Sequence, residues 1–249
     1  MGSIEVFPRK RGAGTLADVW RIAPLAAGGA VKVRAARLED YAAIRALERE
    51  VRPGLAPLTL KQFESQRHAF PEGQLAAECE GTIVGAASSF VVQWDDYALD
   101  LTWKGITAEG CFSTHDGAGR TLYGSPSLAD VTRHGFGIGR ALHQARRRLC
   151  RKLNLRRIIV ACPLPGYHRV HGEMTPELYA RRVIWGDIDD PALRQQMSLG
   201  FHFCGIIHDY LPEDTASLGH AALTVWLNPL YSPAEPPARE VSQRSRRVA

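Results

Sequence analysis

The chain has 249 residues, of which 45% are hydrophobic and 23% charged, the composition of a globular protein long enough to bury a sizeable core. This excludes a disordered chain, a coiled coil and a collagen-like repeat, and no apolar run approaches the roughly eighteen residues of a membrane span. The net charge of +5 is localised: eight basic residues and no acid lie between Arg140 and Arg157, and the tail from Ser232 adds four arginines against two glutamates. Cys79, Cys111, Cys150, Cys162 and Cys204 are odd in number and form no Cys-x-x-Cys, as expected of reduced thiols in a cytoplasmic protein. The opening Met1-Gly2-Ser3-Ile4-Glu5-Val6 has no apolar signal core, and Val6 stands where a myristoylation signal needs Ser or Thr.

Residues 1–30, with Gly12, Gly14, Gly28 and Gly29, read as an arm with little core of its own. Val31–Arg34 alternates like a strand, and Tyr41, Ile44, Leu47 and Val51 recur at helical spacing over Leu38–Val51. Glu39 and Asp40 fall in that helix's first turn, where its dipole favours acids. Thr59-Leu60-Lys61-Gln62 has capping-box spacing, with Leu60, Phe63, Arg67 and Phe70 following on one face. Gln74–Glu80 and Thr82–Val92 predict a hairpin that turns at Glu80-Gly81. A long loop is expected over 94–120, a strand over Thr121–Val131 and a helix over Ile138–Leu153 with Ile138, Leu142, Ala145 and Leu149 inward. Ile158–Cys162 is a continuous apolar run, the signature of a strand buried on both faces. Strand, helix and buried strand imply a parallel crossover. Helical pieces at Thr175–Trp185 and Pro191–Leu199 precede strands at Phe201–Tyr210 and His220–Leu227, and the tail after Tyr231 reads as disordered.

The sharpest chemical signal is Arg133-His134-Gly135-Phe136-Gly137-Ile138-Gly139-Arg140, between a strand and the amphipathic helix. Alternate glycines let backbone N–H groups converge at a helix N-terminus, an anion site suited to a diphosphate. A P-loop would need Gly-Lys-Ser/Thr, whereas Gly139-Arg140-Ala141 stands here. A dinucleotide fold would need Gly-x-Gly-x-x-Gly and an acid after the next strand, and Arg156–Pro165 holds none. Acyl-coenzyme A is the remaining diphosphate ligand. Cys162, His168, His171, His202, Cys204 and His208 match no standard zinc spacing, so no metal is expected. The Arg-rich helix face reads as solvated surface, and Trp94, Trp103, Trp185 and Trp226 as core or loop anchors.

The order of elements and the run His134–Gly139 resemble the GNAT acyltransferase superfamily (the Gcn5-related N-acetyltransferases) over roughly residues 31–231. His134 departs from the Gln or Arg that usually opens that motif. Thr121–Gly124, Leu149–Leu155, Pro165-Gly166-Tyr167, Met174-Thr175-Pro176 and Asp190–Phe201 are similar to the acetyltransferase-like module found ahead of nitrilase-type hydrolases; here only a short polar tail is expected after Tyr231. The resemblance implies an α/β (α+β) fold: a mixed, mostly antiparallel central sheet, one parallel strand-helix-strand crossover and flanking helices. It implies acetyl-CoA or another acyl-CoA as co-substrate, with pantetheine between Thr121–Val131 and Arg157–Cys162. Leu128, Ala129, Asp130 and Val131 would hold the pantetheine, and His134, Gly135, Phe136, Gly137, Ile138, Gly139 and Arg140 the diphosphate.

Direct N-acyl transfer to a small amine needs a base for the amine and an acid for the thiolate. Gln196 stands where many members carry the acidic Tyr, so Tyr167 is the candidate acid, with Tyr179 and Tyr123 as substitutes. His115 and Asp116 are the candidate base, with His168 and His171 behind them. An acyl carrier protein as donor and a non-catalytic acyl-CoA-binding module are the alternatives. A homodimer is admitted as a partner; a membrane and nucleic acid are not expected.

Overall fold

The computed structural model describes residues 20–21, 31–94, 101–133 and 137–234. Its elements in chain order are β1 (Trp20–Arg21), β2 (Lys32–Ala35), α1 (Tyr41–Val51), α2 (Leu60–Ala69), β3 (Leu75–Cys79), β4 (Thr82–Ala87) and β5 (Ser89–Val92). There follow α3 (Trp103–Thr107), β6 (Thr121–Gly124), β7 (Leu128–Ala129), α4 (Ile138–Lys152) and β8 (Arg157–Pro163), then α5 (Pro176–Trp185), α6 (Pro191–Ser198), β9 (His202–Ile207) and β10 (Ala221–Leu227).

Local chemistry accounts for most boundaries. Glu80 (φ 51°) and Gly81 (φ 79°) both take left-handed backbone, as a two-residue hairpin turn requires. Thr59 caps α2 and Gln62 returns the bond, as the spacing predicted. Thr175 and Asp190 cap α5 and α6, each followed by a proline at the first helical position. Asp40 does more than favour the helix dipole: its carboxylate accepts from the Arg37 amide at 2.7 Å and holds Arg34 at 2.6 Å.

The strands form two five-stranded sheets, β1-β2-β3-β4-β7 and β5-β6-β8-β10-β9. Among the described residues only β6 with β8 pairs in parallel. The sheets meet along one seam. The ladder runs Gly85↔Ala129 and Ala86↔Leu128, then resumes at Ser89↔Gly124 and Phe90↔Tyr123. Ala87 and Ser88 therefore face Ser125, Pro126 and Ser127, one residue too many, which is a bulge. This corrects the single strand expected over Thr121–Val131 and the unbroken run over Thr82–Val92: each divides between the sheets. Pro126 has no N–H to offer a ladder, which helps to fix the break there.

The first sheet lies between helices. Ala76, Ala86 and Leu128 pack with α1 and α2 on one face, while Leu75, Ala77, Val84 and Ala87 pack with α4 on the other. The second sheet is filled by a large cluster including Phe90, Phe112, Tyr123, Leu149, Ile158 and Trp226. The expected loop over 94–120 contains the short helix α3, whose neighbouring carbonyls explain another difference. Leu60 is 45% exposed, because α2 turns Gln62, Ser65 and Gln66 toward Glu109, Cys111 and Gly110, whose carbonyls they bond at 2.8 Å. Trp185, read as an anchor, is instead 67% exposed at the end of α5. No helix among the described residues is long and apolar enough to cross a membrane.

Candidate active site

β6 and β8 pair only from Thr121↔Arg157 to Gly124↔Val160. Beyond that point β7 bonds to β4 alone, and β8 continues to Pro163 bonded to β10 alone. Two neighbouring strands thus part, and main-chain edges face each other across the gap. Leu128 and Ala129 lie on one wall, and Ala161 and Cys162 on the other. The Leu128 side chain is buried toward α1, and Val131 is 43% exposed. Asp130 takes its own loop in hand: it accepts from the Thr132 amide and hydroxyl and meets Arg133 at 3.4 Å. Those bonds, Thr132's first, hold its carboxyl below the usual range.

The N-terminus of α4 lies beside this gap. Gly137 precedes the helix at φ 66°, left-handed backbone that a side chain would strain. Ile138 is buried against the first sheet, and Gly139 is buried where a side chain would strike Gln195 of α6. Arg140 is exposed and, with His143, Gln144, Arg147, Ser198 and Leu199, lines an open cavity of about 160 Å³. His134, Gly135 and Phe136 lie outside the described residues.

The structure does not bring the three candidate catalytic residues together. His115 and Asp116 precede β6, at the end remote from the gap. There the Val91 amide donates to His115 Nδ1 at 3.1 Å, Asp116 N donates to Val91 O, and the His115 ring stacks on Phe70. This loop covers the free edge of β5, and the exposed Asp116 carboxylate caps Ala118. Tyr167 follows β8 and so lies at the open end, but it is buried among Tyr179, Leu193 and Ala222. Its hydroxyl donates to the Met174 carbonyl at 3.2 Å, and burial pushes its pKa up. Of the substitutes, Tyr179 donates to Asp190 at 2.8 Å, and Tyr123 shares a 2.5 Å hydroxyl–hydroxyl bond with Tyr210. Gln196 is buried with its Nε2 unpartnered. Cys162 is buried, which pushes its thiol up and keeps it protonated. Among the described residues no group of three His, Cys, Asp or Glu side chains is placed to hold a metal.

Sequence reasoning missed two residues at the seam. Arg146, counted above only as surface charge, is fully buried. Its Nε donates to Ser89 Oγ at 2.9 Å, and its Nη2 to the carbonyls of Ser88 at 2.9 Å and Ser125 at 2.5 Å. It therefore clamps both strands at the bulge. A signal was present: Arg146 lies four residues after Leu142 and three before Leu149, on the apolar stripe of the helix. The other is Arg52, at the end of α1, whose Nη2 donates to the Pro126 carbonyl at 2.8 Å from the opposite face of the sheet. The rest of the basic segment is mostly surface. Arg147 and Arg151 lie over the Trp226 ring at 5.0 and 5.6 Å, and Arg140, Arg151, Lys152 and Arg156 are exposed.

No family model matches the chain. The protein described as uncharacterized N-acetyltransferase YkwB of Bacillus subtilis (strain 168) is 30% identical over 173 residues, covering 70% of this chain and 76% of that protein. The chain belongs to the GNAT N-acetyltransferase family. A second relative of this GNAT chain, probable hydrolase YhcX of the same organism, is 36% identical over 197 residues; these are 79% of this chain, which spans only 38% of that protein. Two solved structures share the fold. The GphF GNAT-like decarboxylase in complex with isobutyryl-CoA has a TM-score of 0.68 at 20% identity, over 79% of this chain and 98% of that one. The loading GNATL domain of CurA from Lyngbya majuscula has a TM-score of 0.69 at 19% identity, over 80% and 98%.

Proposed function

We propose that this GNAT chain transfers an acyl group, acetyl in the simplest case, from acyl-CoA to a small amine in a ternary complex. One observation carries the reading: β6 and β8 part after Gly124 and Val160, beside a helix N-terminus entered through left-handed Gly137. The parted main chain fits a pantetheine arm, which has amides of its own to bond as an extra strand would. The solved GphF complex contains an acyl-CoA on the same fold.

In this reading the main chain from Leu128 to Val131 holds the pantetheine and polarises the thioester carbonyl. The amides from Gly137 to Arg140, with the Arg140 charge, hold the diphosphate. The thioester supplies the activated acyl group. Tyr167 is the proposed proton donor to the departing thiolate: it lies at the open end of β8, and burial keeps it protonated. His115 and Asp116 would have to act from the far end of β6, so their proposed part as base rests on the sequence alone. The resident compartment proposed is the cytoplasm.

Calorimetric titration with acetyl-CoA tests the donor. Saturable binding is expected for the wild type and is expected to be lost in Gly137→Glu, which brings bulk and negative charge to the diphosphate position. Because a side chain at Gly137 strains the backbone, Arg140→Glu provides a second variant at an exposed position. Wild-type binding that both variants retain would move the site elsewhere. An acyl carrier protein as donor is the second reading, favoured by the exposed Arg140, Arg151 and Lys152. Turnover with acyl-carrier protein but not acyl-CoA would select it.

A further inference from the structure

Two cations meet at the seam with no carboxylate bonded to either. Arg146 reaches the bulge from the α4 face and Arg52 from the α1 face, and they donate to consecutive carbonyls, Ser125 and Pro126. Among the described residues neither guanidinium has a carboxylate within ion-pair distance, although seven such pairs occur elsewhere. Glu48, one turn before Arg52, turns its carboxylate to the Leu58 amide at 2.7 Å instead.

Arg146 Nη1 is buried with no partner, and it lies beside Gly124, where a side chain would meet it at 3.3 Å. Gly124 is the last residue of β6 paired to β8, so this nitrogen sits where the strands part. Arg52 makes a single hydrogen bond; burial works against its charge, and Glu48, Tyr210 and Asp214 favour it from beyond ion-pair distance. Burial and the charge of Arg52 both work against the positive charge of Arg146. Guanidinium groups stay protonated in proteins, and two buried cations with no carboxylate bonded to either are costly unless an anion completes them. Planar guanidinium forks match a carboxylate.

We infer that Arg52 and Arg146 form a carboxylate-recognition site at the reaction centre, so that one of the two substrates carries a carboxylate within a few bonds of the reacting carbonyl. The carboxylate belongs either to the acyl chain or to the amine acceptor. The inference rests on the transfer reaction proposed above for the meaning of the site, but its occupancy can be measured without turnover.

Calorimetry on the full chain separates the sources in two arms. The first compares succinyl-CoA with butyryl-CoA, which lacks the terminal charge. The second compares N-acetylglycine with N-acetylglycinamide, with no CoA present. In one arm the carboxylate is expected to bind about 10- to 100-fold tighter than its neutral counterpart. Arg52→Gln, which removes the charge, should bring that ratio to about one, and Arg52→Lys should keep part of it. Wild-type ratios near one in both arms overturn the site, as does a preference that Arg52→Gln leaves intact. Failure of both thioesters to bind would count against the acyl-CoA donor, while the second arm would still decide the carboxylate site.

Discussion

The two halves of the sheet are packed by opposite means. Where α4 crosses the first half, small residues at the contact, Gly85, Ala87, Ala141 and Ala145, let Ile138 and Leu142 of the helix come close to the strands. In the second half, large rings fill the interior: Phe90 stacks on Phe112 with centroids 4.3 Å apart and meets Tyr123 at 5.6 Å. One helix serves both, because Ile138, Ala141, Leu142 and Ala145 face the first cluster and Leu149 and Cys150 the second. Close approach in one half and bulk in the other leave the seam as the place where the strands separate.

The largest effect is expected on the aromatic side. Phe90→Ala should cost about 3–5 kcal/mol in denaturant unfolding, because lost contact and a residual cavity add. A cost below about 1 kcal/mol would show that the rings do not support the second half. The first half should fail in the other direction. A side-chain carbon at Gly85 would lie 2.5 Å from Ile138 Cγ2 and 2.9 Å from the Leu128 carbonyl. Gly85→Ala is therefore expected to cost up to about 3 kcal/mol through overpacking, measured in the same way. Wild-type stability in that variant would remove the close-packing account.

A smaller effect sharpens the role of the shared helix. His143 is buried against Phe201 with Nδ1 unpartnered, and burial, then the charges of Arg146 and Arg147, press its pKa from 6.5 to about 3. The folded value lies below the unfolded one, so the unfolded chain takes up the proton first as pH falls. The stability this neutral ring contributes is complete above pH 6.5 and is lost progressively toward pH 3. Between pH 7 and pH 5 the wild type should lose about 2 kcal/mol more than His143→Leu. Parallel pH profiles for the two proteins would show that the ring titrates normally in the fold.

Neighbours along the chain decide the local elements. The Glu80-Gly81 turn, the Thr59 capping box, the apolar stripe of α4 and the doubly buried β8 were all legible, and so was the glycine run before α4. Their energetics are local: a backbone angle, a cap, a period of 3.6. From these the order of elements followed, and with it the resemblance to the family. Tertiary structure alone decided where strands break, what Arg146 does and where the candidate acid and base end up. The division at Ser88 and at Ser125–Ser127 depends on a register between segments some forty residues apart. Arg146 lies on the apolar stripe of α4, but its partner Ser89, 57 positions away, is supplied by the fold alone. His115 and Tyr167 are each near a strand in the sequence, but parallel pairing sends the residue before β6 and the residue after β8 to opposite ends of the sheet. Burial and proximity are sums over contacts that no local window contains, and the site is made of those contacts.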